Sequence, residues 1–315
     1  MGVLVKCSKC RAQLQAPQGA TSIRCSYCHT VTRTTTPHPP PLRRPRKKAV
    51  ICGINYKDSD AELSGCIRDA KSIKHLLVNR FNFLESHIHF LTEEERDPSR
   101  KPTKRNIRNA MAWLVDGVGA GDSLVFYFSG HGNQVKDQNG DEADGYDEYI
   151  WPLDYQQNGK ISDDEINKTI VKPIPPGAKL TAIIDSCSSG TMLDLPCLYW
   201  PNRKGQNDWK DNSARNRVWK GTSGGEAIAI SGCADHDESA ETPWESNKCG
   251  AMTYCFLQAI EKGQATTYGS LLIAMKKAVR NIKEYDEDGN LVPLTQEPQL
   301  TANKRFDIFA KLFSL

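Results

Sequence analysis

The sequence predicts an α/β domain on a central, mostly parallel sheet, preceded by a small metal-binding module. Three observations carry this. From residue 49 onward, six apolar strand-like runs alternate with amphipathic helical stretches. Two CxxC pairs stand near the start of the chain. Between these regions, residues 34–48 hold five prolines, which favour an extended spacer with no core of its own.

The strand-like runs are residues 49–56, 87–91, 123–129, 179–185, 227–231 and 306–312, rich in Val, Ile, Phe and Tyr. The helical faces repeat at three and four residues. Ala70, Ile73, Leu76, Leu77 and Phe81 form the first, and Ile107, Ala110, Met111, Leu114 and Val115 the second. Met252, Phe256, Leu257 and Ile260 form the third; Leu271, Leu272, Met275 and Val279 form the fourth. In a sheet of this kind ligand chemistry gathers at the carboxyl ends of the strands. The organisation expected is a module at 1–33, a linker at 34–48 and a folded domain at 49–315. The last would divide into a large region (49–200), an exposed loop (201–225) and a small region (226–315). The loop carries Lys204, Lys210, Arg215, Arg217 and Lys220 among Gly, Asn and Ser.

The chain has 315 residues, 38% hydrophobic and 25% charged, which excludes wholesale disorder and collagen-like structure. Its net charge of +3 hides a split. Residues 1–48 hold ten Lys/Arg and no Asp or Glu, leaving 31 basic against 38 acidic side chains in the rest. No apolar run approaches a membrane span. The start is too short and too soon polar for a signal peptide, so a cytoplasmic or nuclear setting is expected. Eleven cysteines in a reducing compartment read as metal ligands, a nucleophile and buried thiols.

Cys7, Cys10, Cys25 and Cys28 form two CxxC pairs separated by 14 residues, a spacing that suits a tetrahedral structural zinc site. Cys25-Ser26-Tyr27-Cys28-His29 also matches a c-type haem attachment pattern, against which the first CxxC pair argues. The basic, acid-free surroundings suit an anionic partner or simply a solvated tail. No interleaving of aromatic and basic residues points to nucleic acid. The full string, with Arg11, Leu14, Gly19, Ala20 and Val31, resembles the lesion-simulating-disease type zinc finger of plants. That resemblance implies a module for binding protein partners, together with the Pro-rich arm.

Two strand ends carry reactive groups. The run 124–128 leads into Ser129-Gly130-His131-Gly132, and the run 181–184 into Asp185-Ser186-Cys187-Ser188-Ser189-Gly190. A thiolate is the nucleophile that attacks a carbonyl, and an imidazole beside it carries the proton. The N–H groups of Gly132 and Cys187 are candidates for an oxyanion hole. Spaced 56 residues apart, His131 and Cys187 resemble the caspase-like clan, although the caspase Gln-Ala-Cys signature is absent. With Gly65-Cys66-Ile67-Arg68-Asp69-Ala70, the Asp-Ser-Cys motif resembles the metacaspases, and the finger and Pro-rich arm resemble their plant type I group. Ser188 departs from the His found in many members.

The resemblance implies the caspase–haemoglobinase fold and a monomeric cysteine endopeptidase that cuts proteins after Arg or Lys. It also suggests a role in regulating programmed cell death or protein quality control. It places Asp69, Ser129 and Asp185 in the pocket for the basic residue, where carboxylates would pair with guanidinium or ammonium. Asp69 also reads as a first-turn helix carboxylate. Residues 137–165 hold ten Asp/Glu and one Lys, the oxygen-rich chemistry a calcium ion takes. An EF-hand is excluded because Glu142 stands at the glycine position. Similarity to metacaspases points instead to Asp147, Asp163, Asp164 and Asp194 as the site of an activating calcium. An enzyme of this specificity could process its own basic loop or residues 44–48. The alternative reading is a zinc-finger scaffold whose protease domain serves mainly for recruitment.

Overall fold

The computed structural model describes residues 3–17, 20–34, 44–137, 140, 142, 145–187, 190–199, 208–213, 218–232, 241–242, 249–285, 291–293 and 297–315. Gly19 of the finger string, the arm at 35–43, Ser188, Ser189, Lys204, Arg215 and Arg217 lie outside these residues. The chain divides into two compact units, residues 1–44 and 45–315.

The first unit consists of two short antiparallel hairpins, β1 (Val3–Lys6) with β2 (Gln13–Ala16) and β3 (Ser22–Arg24) with β4 (Val31–Arg33). Its apolar core is little more than Cys7, Leu14 and Cys25, too small to hold a fold unaided.

The second unit is built on β5 (Lys47–Gly53), α1 (Cys66–Asn79), β6 (Ile88–Thr92), α2 (Lys104–Val115) and β7 (Ser123–Ser129). The acidic region follows as an antiparallel sheet of β8 (Gly132–Lys136), β9 (Tyr146–Ile150) and β10 (Ile161–Ser162), with short helices α3 (Tyr155–Asn158) and α4 (Asp163–Ile166). Then come β11 (Lys179–Asp185), β12 (Cys197–Tyr199), β13 (Trp209–Asp211) and β14 (Glu226–Ser231). The chain continues through β15 (Glu241–Thr242), β16 (Cys249–Gly250), α5 (Ala251–Glu261) and α6 (Tyr268–Val279). It ends with β17 (Lys283–Tyr285), β18 (Leu291–Pro293) and β19 (Gln299–Ala302).

Eight strands form the main sheet in the order β13-β12-β19-β14-β11-β7-β5-β6. From β6 to β14 the pairings are parallel; β19, β12 and β13 extend the sheet antiparallel. Alternate residues of the central strands feed two cores. Ile51, Tyr127 and Ile183 face α1, α5 and α6, where Ile73, Phe256 and Met275 meet them. Cys52, Phe126 and Ile184 face α2 through Ile107 and Met111. Each such side chain contributes roughly 1.5–3 kcal/mol by burial, which explains the near-continuous apolar runs. Thr103 starts α2 by accepting from Asn106 N–H, and Thr267 starts α6 in a capping box with Ser270.

Three expectations are corrected. The run 306–312 is not a strand. Asp307 Oδ1 accepts the N–H groups of Phe309 and Ala310, closing a turn, while Tyr268 packs edge-on against Phe306. In place of that sixth expected strand the sheet takes β19, antiparallel, whose four residues are all buried. Lys47 and Lys48, counted with the linker, open β5: Lys47 Nζ donates to the carbonyls of Phe81 (2.6 Å) and Leu315 (2.8 Å). Lys48 Nζ lies over the Trp113 ring, 4.3 Å from its centroid. Neither is a free cleavage point. Within the loop 201–225, Lys210 lies in β13, paired to β12, and Lys220 is buried.

Candidate active site and cation sites

Strand register builds the active site. Asp185 pairs with Ser129, and Ser129 with Gly53, so β11, β7 and β5 end along one edge. His131 and Cys187 each lie two residues beyond that line. Gly130 N–H donates to the Asp185 carbonyl (3.3 Å), joining the two segments. A Cβ on Gly132 would lie 2.5 Å from the Cys187 carbonyl oxygen and 2.9 Å from Ser186 Oγ. Only glycine lets the histidine turn approach the cysteine turn this closely.

The loop after β5 frames His131. Nε2 lies 2.9 Å from the Ala61 carbonyl. A carbonyl only accepts, so Nε2 carries the proton and Nδ1 is left for the thiol. The Tyr56 hydroxyl accepts His131 N–H at 3.0 Å and donates to the Trp151 carbonyl at 2.6 Å. Trp151 N–H in turn donates to the His131 carbonyl at 3.1 Å. The Tyr56 and Trp151 rings flank the imidazole, with centroids at 5.0 and 5.3 Å. Burial raises the Tyr56 hydroxyl far above its ordinary pKa, so it remains a donor. A Cβ on Gly130 would come within 2.9 Å of that hydroxyl. Tyr56 itself takes φ +52°, a left-handed conformation costly for a bulky residue, where the chain leaves the sheet edge. Sequence reading missed Tyr56, Ala61 and Trp151; the signal available was Tyr56's place three residues past a strand ending on the reactive edge.

Asp69 and Asp185 come together at the start of α5. Asp69 Oδ2 accepts Gly250 N–H at 2.7 Å, and Asp185 Oδ2 accepts Thr253 N–H at 2.8 Å. The orphan N–H groups and dipole of a helix start favour both carboxylates. Ser129 stands beside Asp185 in register. Asp69 is fully buried, and Asp185 and Ser129 are 5% and 1% exposed, so the trio forms a floor rather than a rim. Burial raises the Asp185 pKa, partly countered by Thr253. Burial, then the charges of Asp69 and Asp185, push Tyr127 upward, and its hydroxyl bonds Thr253 Oγ1 at 2.8 Å. The helix start at Gly250 was hidden from sequence reading because it is brought to the site from far along the chain.

The four acidic residues singled out for calcium share one neighbourhood, with two that sequence reading omitted. One ligand oxygen each from Glu142, Asp147 and Asp163 lies within 4.8 Å of the others, and the same holds for Glu142, Glu148 and Asp194. Asp163 is fixed by accepting the N–H groups of Glu148 (2.5 Å) and Asp164 (2.6 Å). Asp164 reaches Lys220 Nζ at 3.0 Å. Burial, then Asp194, pushes Glu142 up to about 9; burial also raises Asp163 and Asp194. Asp194 Oδ1 is buried with no hydrogen-bond partner among the described residues. Hard oxygens, an orphaned carboxylate oxygen and carboxylates reluctant to ionise together fit a hard divalent cation. Such an ion would supply positive charge that lets the cluster ionise.

In the first unit, Cys7, Cys10, Cys25 and Cys28 gather their sulfurs within 4.8 Å of one another. Two sulfur pairs stand at 3.5 Å, Cys7–Cys28 and Cys10–Cys25. Tetrahedral Zn–S bonds of about 2.3 Å need sulfurs about 3.8 Å apart, so the cluster fits zinc. Both CxxC turns close alike. Arg11 and His29 take φ +60° and +57°, and their N–H groups donate to the carbonyls of Cys7 and Cys25. Main-chain N–H groups of Cys10 and Lys9 lower the Cys7 thiol to about 6, toward the thiolate zinc needs.

Residues 47–196 match the family described as "Metacaspase, peptidase C14 domain", and residues 7–31 match the "LSD1 zinc finger". Metacaspase-1 of Arabidopsis thaliana is 51% identical, spanning 99% of this chain and 96% of that protein. Metacaspase-2 of the same plant is 40% identical over the whole of both chains. Among solved structures, protein GSU0716 of Geobacter sulfurreducens shares the fold. Its TM-score is 0.58 at 21% identity, covering 86% of this chain and 98% of that one.

Proposed function

The chain belongs to the metacaspase family of cysteine peptidases, and on that premise we propose that it cleaves proteins after Arg or Lys, with Cys187 as nucleophile and His131 as proton carrier. The observation that supports the reading is the register of β11 on β7, which ends both strands at one edge, two residues short of Cys187 and His131, with Asp185 and Ser129 paired there and buried like Asp69.

The chemistry follows from these residues. His131 Nδ1 takes the thiol proton, and the Cys187 sulfur attacks the peptide carbonyl carbon. The N–H groups of Gly132 and Cys187 receive the oxyanion. Returned to the departing amine, the proton frees it and leaves a thioester, which water hydrolyses with the same imidazole as base. The Tyr56 and Trp151 rings hold the imidazole in place through the transfer. An arginine or lysine before the scissile bond meets the carboxylates of Asp69 and Asp185, whereas an acidic residue meets like charge.

Calcium activation, through Asp147, Asp163, Asp164 and Asp194 with Glu142 and Glu148, is part of the reading, as is self-processing in the loop 201–225. The zinc finger would recruit protein partners, and the cellular setting would be cytoplasmic control of programmed cell death. The test is cleavage of fluorogenic Arg- and Asp-terminated peptides by wild type and Cys187→Ala, each with calcium and with EGTA. Calcium-dependent Arg cleavage lost in the variant is expected. No cleavage by folded protein, with or without the unit 1–44, would shift the function to the finger as a scaffold.

A further inference from the structure

Lys220 belongs to a segment that composition marks as an exposed, scissile loop, yet it is 8% exposed. Its Nζ contacts a carboxylate oxygen of Glu142, Asp164 Oδ1 at 3.0 Å and Asp194 Oδ2 at 3.1 Å. The main chain is clipped there as well. Asn167 Nδ2 donates to the Lys220 carbonyl (2.7 Å) and to the Leu193 carbonyl (2.8 Å), one residue before Asp194. Asp194 takes φ +50°, and its Oδ1 is buried with no hydrogen-bond partner among the described residues. Among the described residues, one ammonium thus touches three of the six gathered carboxylates, too little charge to neutralise the cluster, and Asp194 Oδ1 is left over. The residue after Lys220 is Gly221, and Trp219 and Val218 before it are 59% and 49% exposed. The segment 218–221 is therefore anchored inward chiefly through Lys220, while Thr222 is tied to Asn303 (3.0 Å) on the side leading to β14.

We propose that Lys220 is the built-in counter-cation of the acidic pocket and that a divalent cation displaces it. This rests on the calcium reading above and adds its mechanism. An ammonium and a divalent ion on the same carboxylates repel, so occupancy by one excludes the other. The divalent ion brings twice the charge and takes the orphaned Asp194 oxygen as a ligand. Displacement turns Lys220 and its neighbours out to solvent. Metal arrival at the pocket and exposure of Lys220 are then one event, and calcium affinity is set by the lysine it must evict.

Binding and proteolysis test this without any enzymatic turnover by the protein itself. Full-length Cys187→Ala, which cannot cut itself, is compared with Cys187→Ala/Lys220→Met and Cys187→Ala/Lys220→Arg by calcium titration calorimetry. Removing the competing charge is expected to tighten calcium binding at least tenfold, and Lys220→Arg is expected not to. Trypsin is expected to cut Cys187→Ala after Lys220 in calcium and to spare that bond in EGTA. Equal or weaker calcium binding by a folded Lys220→Met variant, or continued protection of Lys220 at saturating calcium, would overturn the displacement while leaving the calcium site standing. Absence of calcium binding in all three proteins would overturn the site and the displacement together. If Lys220→Met does not fold, the trypsin comparison on Cys187→Ala decides alone.

Discussion

Tyr56 holds His131 by both backbone and ring: its hydroxyl accepts the histidine N–H at 3.0 Å, and the two ring centroids stand 5.0 Å apart. Because the same hydroxyl donates to the Trp151 carbonyl, removing it takes one partner from each of two part-buried main-chain groups. Tyr56→Phe keeps the ring and should lower kcat about tenfold, the equivalent of about 1.4 kcal/mol. KM for an Arg peptide should stay unchanged, since Tyr56 does not touch the acidic floor. The pH at which Cys187 becomes alkylated by iodoacetamide should also move, which a merely structural role would not cause. Equal kcat in wild type and Tyr56→Phe would contradict this.

The raised carboxyl of Asp185 gives a pH signature. Binding of a guanidinium needs the carboxylate, and burial lifts its pKa above the ordinary 3.8. The group therefore gains its proton earlier on acidification than a solvated aspartate does. Affinity of an Arg peptide for Cys187→Ala, in which nothing reacts, should be full at neutral pH and fall as pH drops through a value above 3.8. Calorimetry between pH 7 and pH 4 measures this, at pH values chosen on the ordinary carboxylate scale. A flat profile over that range would mean Asp185 does not meet the peptide.

Gly250 is an unobtrusive control point for specificity. A Cβ there would lie 2.2 Å from Asp185 Oδ2, so the carboxylate must shift off its Thr253 bond. Gly250→Ala should raise KM for Arg peptides tenfold or more with a smaller loss in kcat. Gly263→Ala, which has open space around it but φ +69°, should cost about 1 kcal/mol of stability and leave kinetics alone. Steady-state kinetics of the two variants separates a pocket effect from a general one.

Zinc should be found at one ion per chain by elemental analysis, and lost on acidification because protons compete for the four thiolates. Cys25→Ser should melt the unit 1–44, whose apolar core is tiny, and leave peptide cleavage by the 45–315 unit within about twofold. Hydrogen exchange localises the melting; a large loss of activity would tie the finger to catalysis.

Strands that are buried on both faces were readable from end to end. β7 and β11 begin and end where their apolar runs do, because nothing but an apolar side chain fits either face. Cys187 and His131 were readable for the same reason, as reactive residues just past such runs. The C-terminal run 306–312 misled, since its apolar residues pack on helix α6 through a turn, while the true strand Gln299–Ala302 holds two polar residues of four. Strands β8 and β9 escaped notice because they invert the usual pattern, with Glu148 buried and Val135 and Tyr146 exposed, and because their pairing is local to the acidic region. Lys220 read as solvent-exposed because a lysine's partner cannot be seen along the chain, and three of its carboxylates come from positions 26, 56 and 78 residues earlier.

Strand order has a last consequence, for what proteolysis could achieve. A cut in 201–207 or 214–217 would part the polypeptide into a piece carrying β11 and β12 and a piece carrying β14 and β19. In the sheet those pieces interleave: β14 lies against β11, and β19 is inserted between β14 and β12. Two backbone ladders stitch the fragments together after a cut in 214–217 and three after a cut in 201–207, where β13 also pairs across, and one of them runs through the centre of the sheet. Nicking would therefore show as two bands in detergent and one peak in native chromatography. Severing this chain loosens a loop; it does not release a subunit.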